Sequence, residues 1–418
     1  MFRKLLLAVP ILLTLTAWLM AQAAVPFACP ELVEEALIRV DQACGGLGRN
    51  EACYGNNLVT AFGPNALTLD AFSTTGDRLP LETIAQLNTT ALNTDQGTWG
   101  VAILSLQADL PDTLPGQNVT FVVFGDSELI TEESEDLTAP MQAFQLTTGI
   151  GVPQCREAPR DGVLVQSPEG TTVHFRVNGI DIAVGSTVLL DKRQDEKVWI
   201  STLEGRATVT SGGITKTVLP GYKLVTIPGE VPVGPDPYTF EDVAAMPIDL
   251  LPNPIVIPFT LAGDSADWQW SNYTVSAGIT YQIRAEGQIN LYADCPEAQP
   301  PRDDCNDYLV GPNGSTELDA TGKLLPDQAI GALLMRLDDG DPIVVGRELI
   351  WTAPADGVLQ FWVNDAPLDD NSGAFVIMVE PIIPAATRIA PTTPPQAPPP
   401  PPPPPPDTSG DDDDGADD

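Results

Sequence analysis

Short apolar runs, closed at each end by Gly, Pro, Asn or Asp, leave most of this chain little room for a helix. Across residues 161–229, runs rich in Val, Ile and Thr recur every eight to twelve residues between Gly-rich turns. That spacing is the signature of a small β-sandwich, barrel or solenoid. Earlier, "TWGVAILSLQADLP" and "NVTFVVFGDSELI" alternate or run apolar in the same way. One segment differs: "CPELVEEALIRVDQAC" places Leu32, Val33, Ala36, Leu37 and Val40 at a helical period, with its glutamates on the other face. The expected fold is mainly β and multi-domain: an α+β N-terminal module, a small β-rich middle module and a C-terminal β-sandwich.

Composition restricts the partners. With 20 Lys+Arg against 57 Asp+Glu, the formal net charge is −37. Nucleic acid and anionic membrane surfaces both need cationic patches, so neither is expected; cations and neutral sugars are the easier ligands. Residues 1–23 read as a cleaved secretory signal: Arg3 and Lys4 precede an apolar run from Leu5 to Met20, then Ala21-Gln22-Ala23 offers a small-x-small cleavage site. The alternative is retention as a membrane anchor. After cleavage the chain is expected to be soluble and to be secreted or held in the cell envelope.

Export makes the six cysteines disulfide candidates. Cys295 and Cys305 flank the polar loop "PEAQPPRDD" and are expected to pair with each other. Cys29, Cys44, Cys53 and Cys155 would then form two bonds, with three connectivities open.

The expected organisation is a disulfide-bonded module at 24–157, a β-rich module at 161–229, a Pro-rich linker at 230–254, a β-sandwich at 255–383 and a tail at 384–418. The tail holds nine consecutive prolines, Pro398 to Pro406, before an acidic end. Such a run forms a polyproline II rod of roughly 28 Å.

Catalytic chemistry is scarce. The only histidine, His174 in "TTVHFRVNG", alternates with Val173 and Phe175 and belongs on the polar face of a strand. Hydrolases built on a Ser-His-Asp or Cys-His arrangement would have to use it. No phosphate-binding loop or HExxH motif occurs. Paired carboxylates for glycoside hydrolysis stay open as an alternative. The expectation is a protein without catalysis.

Oxygen-rich residues concentrate in "NDAPLDDNSG", residues 364–373. Calcium takes six to eight oxygens from carboxylates, amides and backbone carbonyls. Asp365, Asp370 and Asn371 supply side chains, and the bend at Pro367 would aim the carbonyl of Leu368 or Asp369 inward. On either side, "DWQWSNYTVSAGITYQIRAEGQINLY" reads as two strands around Ser276-Ala277-Gly278, and "RELIWTAPADGVLQFWVND" as two more around Ala355-Asp356-Gly357.

Three blocks of this third module, "VSAGITYQIRAEGQINLY", "PDQAIGALLMRLDDG" and "APADGVLQFWVNDAPLDDNSGAFVIMV", resemble the PA-I-like galactophilic lectins, calcium-dependent bacterial β-sandwiches. The resemblance implies a jelly-roll, galactose-binding-like sandwich. It also implies a calcium ion held by Asp365, Asp370 and Asn371, by Leu368 within the loop, and by a backbone carbonyl of Leu291 or Tyr292. The sugar would share that ion, so Asp365 and Asp370 belong to the carbohydrate set, together with Gln328 of the PDQ block and the position of Leu325. Two departures stand out: Leu325 replaces the family's sugar-contacting His, and the loop is shorter and lacks its Thr ligand. A galactose-like sugar is therefore less firmly implied than calcium. The middle module, through "VGSTVLL", "VWISTLEGRATVT" and "VLPGYKLVTI", resembles the FecR-type domain, a non-catalytic β-rich module. The first module is similar to repeated modules of uncharacterised exported bacterial proteins, which implies no function. The rival expectation is a structural or adhesive envelope protein whose sandwich is a spacer.

Overall fold

A computed structural model describes residues 28–107, 118–137, 139–149, 158–192, 195–292, 308–316, 318 and 323–382. The expected signal, Cys155, Cys295, Cys305 and the tail 384–418 lie outside the described residues. The fold is mainly β, as the punctuation implies. Among the described residues no helix is long and apolar enough to cross a membrane.

The expected helix runs Cys29–Cys44, with Pro30 in its first turn, where a missing N–H costs nothing. Leu32, Val33, Ala36 and Val40 are buried along one face. Its last residue is bonded to Cys53 on the following strand. Cys29 is likewise disulfide-bonded.

Sixteen strands form one connected sheet. Gly162–Gln166 pairs antiparallel with Val119–Phe124 on one side and with Ile180–Lys192 on the other. Val173–Val177 lies parallel to Ala143–Thr148. Strands from both sides of the boundary expected at 157–161 therefore share one ladder. Turn residues mark where a strand stops, not which strand it pairs with next, so the punctuation suggests a module boundary that the hydrogen bonding does not respect. Val101–Leu106 and Gly162–Gln166 are buried at every position. They are covered on both faces, which explains their continuous apolar runs.

The segment 230–254, expected as a linker, is packed. Val233–Pro237 adds to the edge of Tyr222–Thr226, and Thr239 and Asp242 form a capping box on the short helix Phe240–Val243. Tyr238, Val243, Met246, Leu250 and Leu251 join the helix Cys29–Cys44 in a second core. Gln166 clamps Asn253 at both ends of its amide, each bond 2.9 Å. The apolar residues between the prolines have a face to cover, and they cover it.

The C-terminal sandwich stacks two sheets. In the first, Ser372–Pro381 lies between Phe259–Ala262 and Thr280–Asn290, and Glu348–Thr352 pairs with Thr280–Asn290. In the second, Gly357–Val363 lies between Gln269–Val275 and Ile330–Leu337. Ile283, Ile289, Phe375 and Ile377 meet Leu333, Met335, Leu359 and Phe361 in the core between them. The turns at 276–278 and 355–357, expected as hairpins, instead pass from one sheet to the other. Alternating strands joined by a short turn can pair edge to edge or stack face to face; here they stack. The two corners bond each other, Ala277 N–H to Asp356 Oδ1 at 2.8 Å and Gly278 N–H to the Ala353 carbonyl at 2.8 Å. The sandwich joins the larger sheet closely at Gly221, where an added Cβ would stand 2.6 Å from Val376 Cγ1.

Candidate functional site

The oxygen-rich loop leaves the buried strand Gly357–Val363 at one end of the sandwich. Asn364, its first residue, is fully buried and makes three side-chain bonds. Its Oδ1 accepts from Leu325 N–H at 2.9 Å, while its Nδ2 donates to the carbonyls of Leu325 at 3.1 Å and Ala329 at 2.9 Å. Its backbone pairs with Ala332 and Gly331. One asparagine thus fastens the PDQ block to the loop, two segments that are 39 residues apart in sequence.

Asp365 is 5% exposed, and its carboxylate accepts from Ala366 N–H at 2.9 Å and from the Asn371 side chain. Burial pushes this carboxyl above its usual range; the two hydrogen bonds oppose that push and the charge of Asp370 adds to it. Asp365 forms no ion pair among the described residues. Asn371 is 6% exposed, and its Nδ2 also donates to the Gly263 carbonyl at 3.1 Å. Its Oδ1, equally buried, meets no donor among the described residues. Asp370 is half-buried next in the chain, and Asp369 is exposed.

The other expected ligands are placed as follows. Leu368 packs its side chain into the sandwich core, and its carbonyl accepts from Asn371 N–H at 3.1 Å. A carbonyl has a second lone pair, so this bond leaves acceptor capacity. Asn290 is registered opposite Ser372 in the last pair of that ladder, so Leu291 lies one residue beyond it, its N–H donating to the Tyr308 carbonyl at 3.1 Å. Leu291 packs against Gly331, where an added Cβ would stand 3.0 Å from Leu291 Cδ2 and 2.6 Å from Val310 Cγ2. Gly331 has φ +70°, so both its space and its backbone conformation call for glycine. Gln328 presents an exposed side chain on the clamped block, its backbone held by Leu325 and Lys323. Leu325 is half-buried, and both its backbone groups are engaged by Asn364. Cys295 and Cys305 lie outside the described residues.

The trio of side chains and the PDQ block are therefore brought to one end of the sandwich. Among the described residues no group of three His, Cys, Asp or Glu side chains is placed to hold an ion. Any ion here depends on amide and backbone oxygens as well as two carboxylates. Sequence reasoning missed the roles of Asn364 and of the Gly263 carbonyl. The available signal was the side chain itself: among neutral residues, only Asn and Gln can donate twice and accept at once, so an Asn ending a largely apolar strand is suited to fastening a neighbouring backbone.

No protein-family model matches this chain, and no curated protein matches it. Among solved structures, a PllA-like lectin, the EclA N-terminal domain, is 21% identical over 30% of this chain and 95% of its own, with a TM-score of 0.23. Two crystal structures described as an anti-sigma factor from Parabacteroides distasonis are 12% and 13% identical. They cover 37% and 33% of this chain, each over 61% of its own length, with TM-scores of 0.23 and 0.21. Likenesses of this size carry no argument about function. His174 is exposed on Val173–Val177, between buried Val173 and Phe175, as its alternation implies.

Proposed function

We propose that this is an exported, non-catalytic protein whose C-terminal sandwich binds calcium and, through the ion, a carbohydrate. The observation that carries this reading is the buried Asn371 Oδ1 with no donor, on the side chain that also bonds the unpaired Asp365 carboxylate. A buried acceptor without a donor is costly, and so is a buried carboxylate without a cation; one hard cation relieves both. The donor set is all oxygen: Asp365, Asp370 and Asn371 side chains with carbonyls drawn from Leu368, Leu291 or Tyr292, the ligand chemistry that calcium prefers. Bound calcium would supply positive charge and coordination positions for sugar hydroxyls. Gln328, fixed beside the loop through Asn364, is the side chain offered to such a sugar. Leu325 offers none, so a galactose-like ligand would be bound with fewer polar contacts than in the lectins the sequence resembles.

Titration calorimetry of the full chain with calcium chloride tests the ion: saturable binding is expected, and Asp365→Ala abolishes it. A glycan array with and without EDTA then tests the sugar. Spots sensitive to EDTA support a lectin, whereas calcium binding with no glycan spot assigns the ion a structural role. Turnover of chromogenic glycosides would overturn the non-catalytic reading.

A further inference from the structure

A second site lies outside the Asp365 loop, where strands Ile180–Lys192 and Val198–Ser211 pair. A groove of about 660 Å³ opens there, lined on its polar side by Thr171, Thr172, Ser186, Glu204, Arg206 and Thr208. Glu204, Arg206 and Thr208 come from one strand and line the same groove, with the irregular backbone at Gly205, φ +71°, between the first two. Their cross-strand partners are small: Gly185 is opposite Arg206 and Ala183 is opposite Thr208. The space is carved by these short side chains, and a shift in register between Thr187 and Val188 bends the pair beside it.

Ser186 sits at φ 130°, a conformation that non-glycine residues adopt at a cost. Its N–H donates to Ser167 Oγ at 2.8 Å, its carbonyl accepts from Ser167 N–H at 2.8 Å, and its hydroxyl donates to Glu204 Oε2. Opposite it, Gly205 has φ +71°, and an added Cβ there would stand 2.0 Å from the Gly185 carbonyl. The backbone is thus fixed in a strained form that presents Ser186 and Glu204 together. Arg206 is exposed and forms no ion pair among the described residues, in a chain whose net charge is −37.

We infer that this groove binds a neutral saccharide without a metal ion. Three threonine hydroxyls that can both donate and accept, a serine hydroxyl left with acceptor capacity, a carboxylate that accepts and a guanidinium that donates make up a recognition set for a polyol, whose every hydroxyl does both. No aromatic ring lines the groove, so it offers no stack for a flat ring. Its volume falls within the roughly 300–1,000 Å³ typical of small-ligand sites. The site shares no residue with the calcium loop and stands whether or not that loop binds an ion.

The test is a glycan array probed with the full chain in EDTA, comparing the native protein with Asp365→Asn, Glu204→Gln and Arg206→Ala. Neutral-glycan signals that persist in EDTA and in Asp365→Asn are expected to fall about tenfold or more in each groove variant, at an unchanged melting temperature. Three results would overturn the inference: no neutral-glycan signal in EDTA, such signals undiminished in either groove variant, or EDTA-resistant binding confined to sulfated and sialylated glycans. Loss of the EDTA-sensitive signals alone would count against the calcium reading and leave this one standing.

Discussion

The large sheet and the C-terminal sandwich use apolar strands differently. In the sheet, Val101–Leu106 and Gly162–Gln166 are buried residue after residue, and Phe121 contacts Phe144 and Phe175 with ring centroids 5.6 and 5.3 Å apart. In the sandwich, Gln269–Val275 and Thr280–Asn290 bury alternate residues and leave the others toward solvent. The first region gains stability from two covered faces, and a buried polar side chain such as Gln166 is taken up there in holding backbone. The second covers one face of each sheet and carries a polar end, where Asn364, Asp365 and Asn371 are buried among oxygens. The candidate ion chemistry lies at the polar end of the second region.

Truncating the doubly covered region should have the largest effect. Phe121→Ala removes a fully buried ring from contact with two others, and a loss of about 3–5 kcal/mol is expected in urea denaturation. Calcium affinity of the protein that remains folded should be unchanged. A variant that loses calcium binding while folded would show that the two regions are coupled.

Asn364→Ala inverts that pattern. It strands the N–H and carbonyl of Leu325 and the carbonyl of Ala329, for an expected loss of about 2–4 kcal/mol, and it releases the block that carries Gln328. Glycan binding should weaken in the folded protein beyond what the loss of stability explains. An Asn364→Ala chain that keeps full glycan affinity would show that the PDQ block is not part of the site.

The disulfide belongs to the first region. Cys44–Cys53 closes a loop of sequence separation 9, for which chain entropy gives about 2–3 kcal/mol. Cys44→Ser with Cys53→Ser should lower the midpoint of the large sheet's transition and leave calcium titration untouched. Equal loss of calcium binding would again show that the two regions are coupled.

How much of this was legible in the sequence follows the same division. Alternation placed His174 outward and predicted the helix Cys29–Cys44 from its 3.6-residue period, because both patterns are local. Runs buried on both faces announce strands but no pairing, so nothing in "GVLVQ" says that it lies beside "VTFVVF" rather than only beside its own hairpin. Short turns in alternating segments left open whether Gln269–Val275 and Thr280–Asn290 pair or stack. The oxygens of residues 365–371 were readable as types. The attachment of this loop to the PDQ block was not, because it depends on Asn364 reaching back to Leu325. The apolar residues between prolines at 238–251 read locally as connector because their partners, on the helix Cys29–Cys44, are some two hundred residues away.

The smallest expected change is the most diagnostic of the polar end. Burial raises the Asp365 carboxyl above its unfolded value, so between those two values the folded chain binds more protons than the unfolded one. Stability therefore falls as pH rises through that window, and without a cation the charged carboxylate is a penalty at neutral pH. Asp365→Asn keeps an oxygen for Ala366 N–H and for the Asn371 amide but carries no charge. In EDTA at pH 7 the variant is expected to melt slightly above the native protein, with the difference closing as pH falls through that window toward about 3.9, the ordinary value of an unfolded Asp. Excess calcium should reverse the order, because only the native protein gains stability from the bound ion. If Asp365→Asn melts lower in EDTA, the two hydrogen bonds outweigh burial and the loop is built around the carboxylate itself. If calcium moves both melting temperatures equally, the ion binds elsewhere.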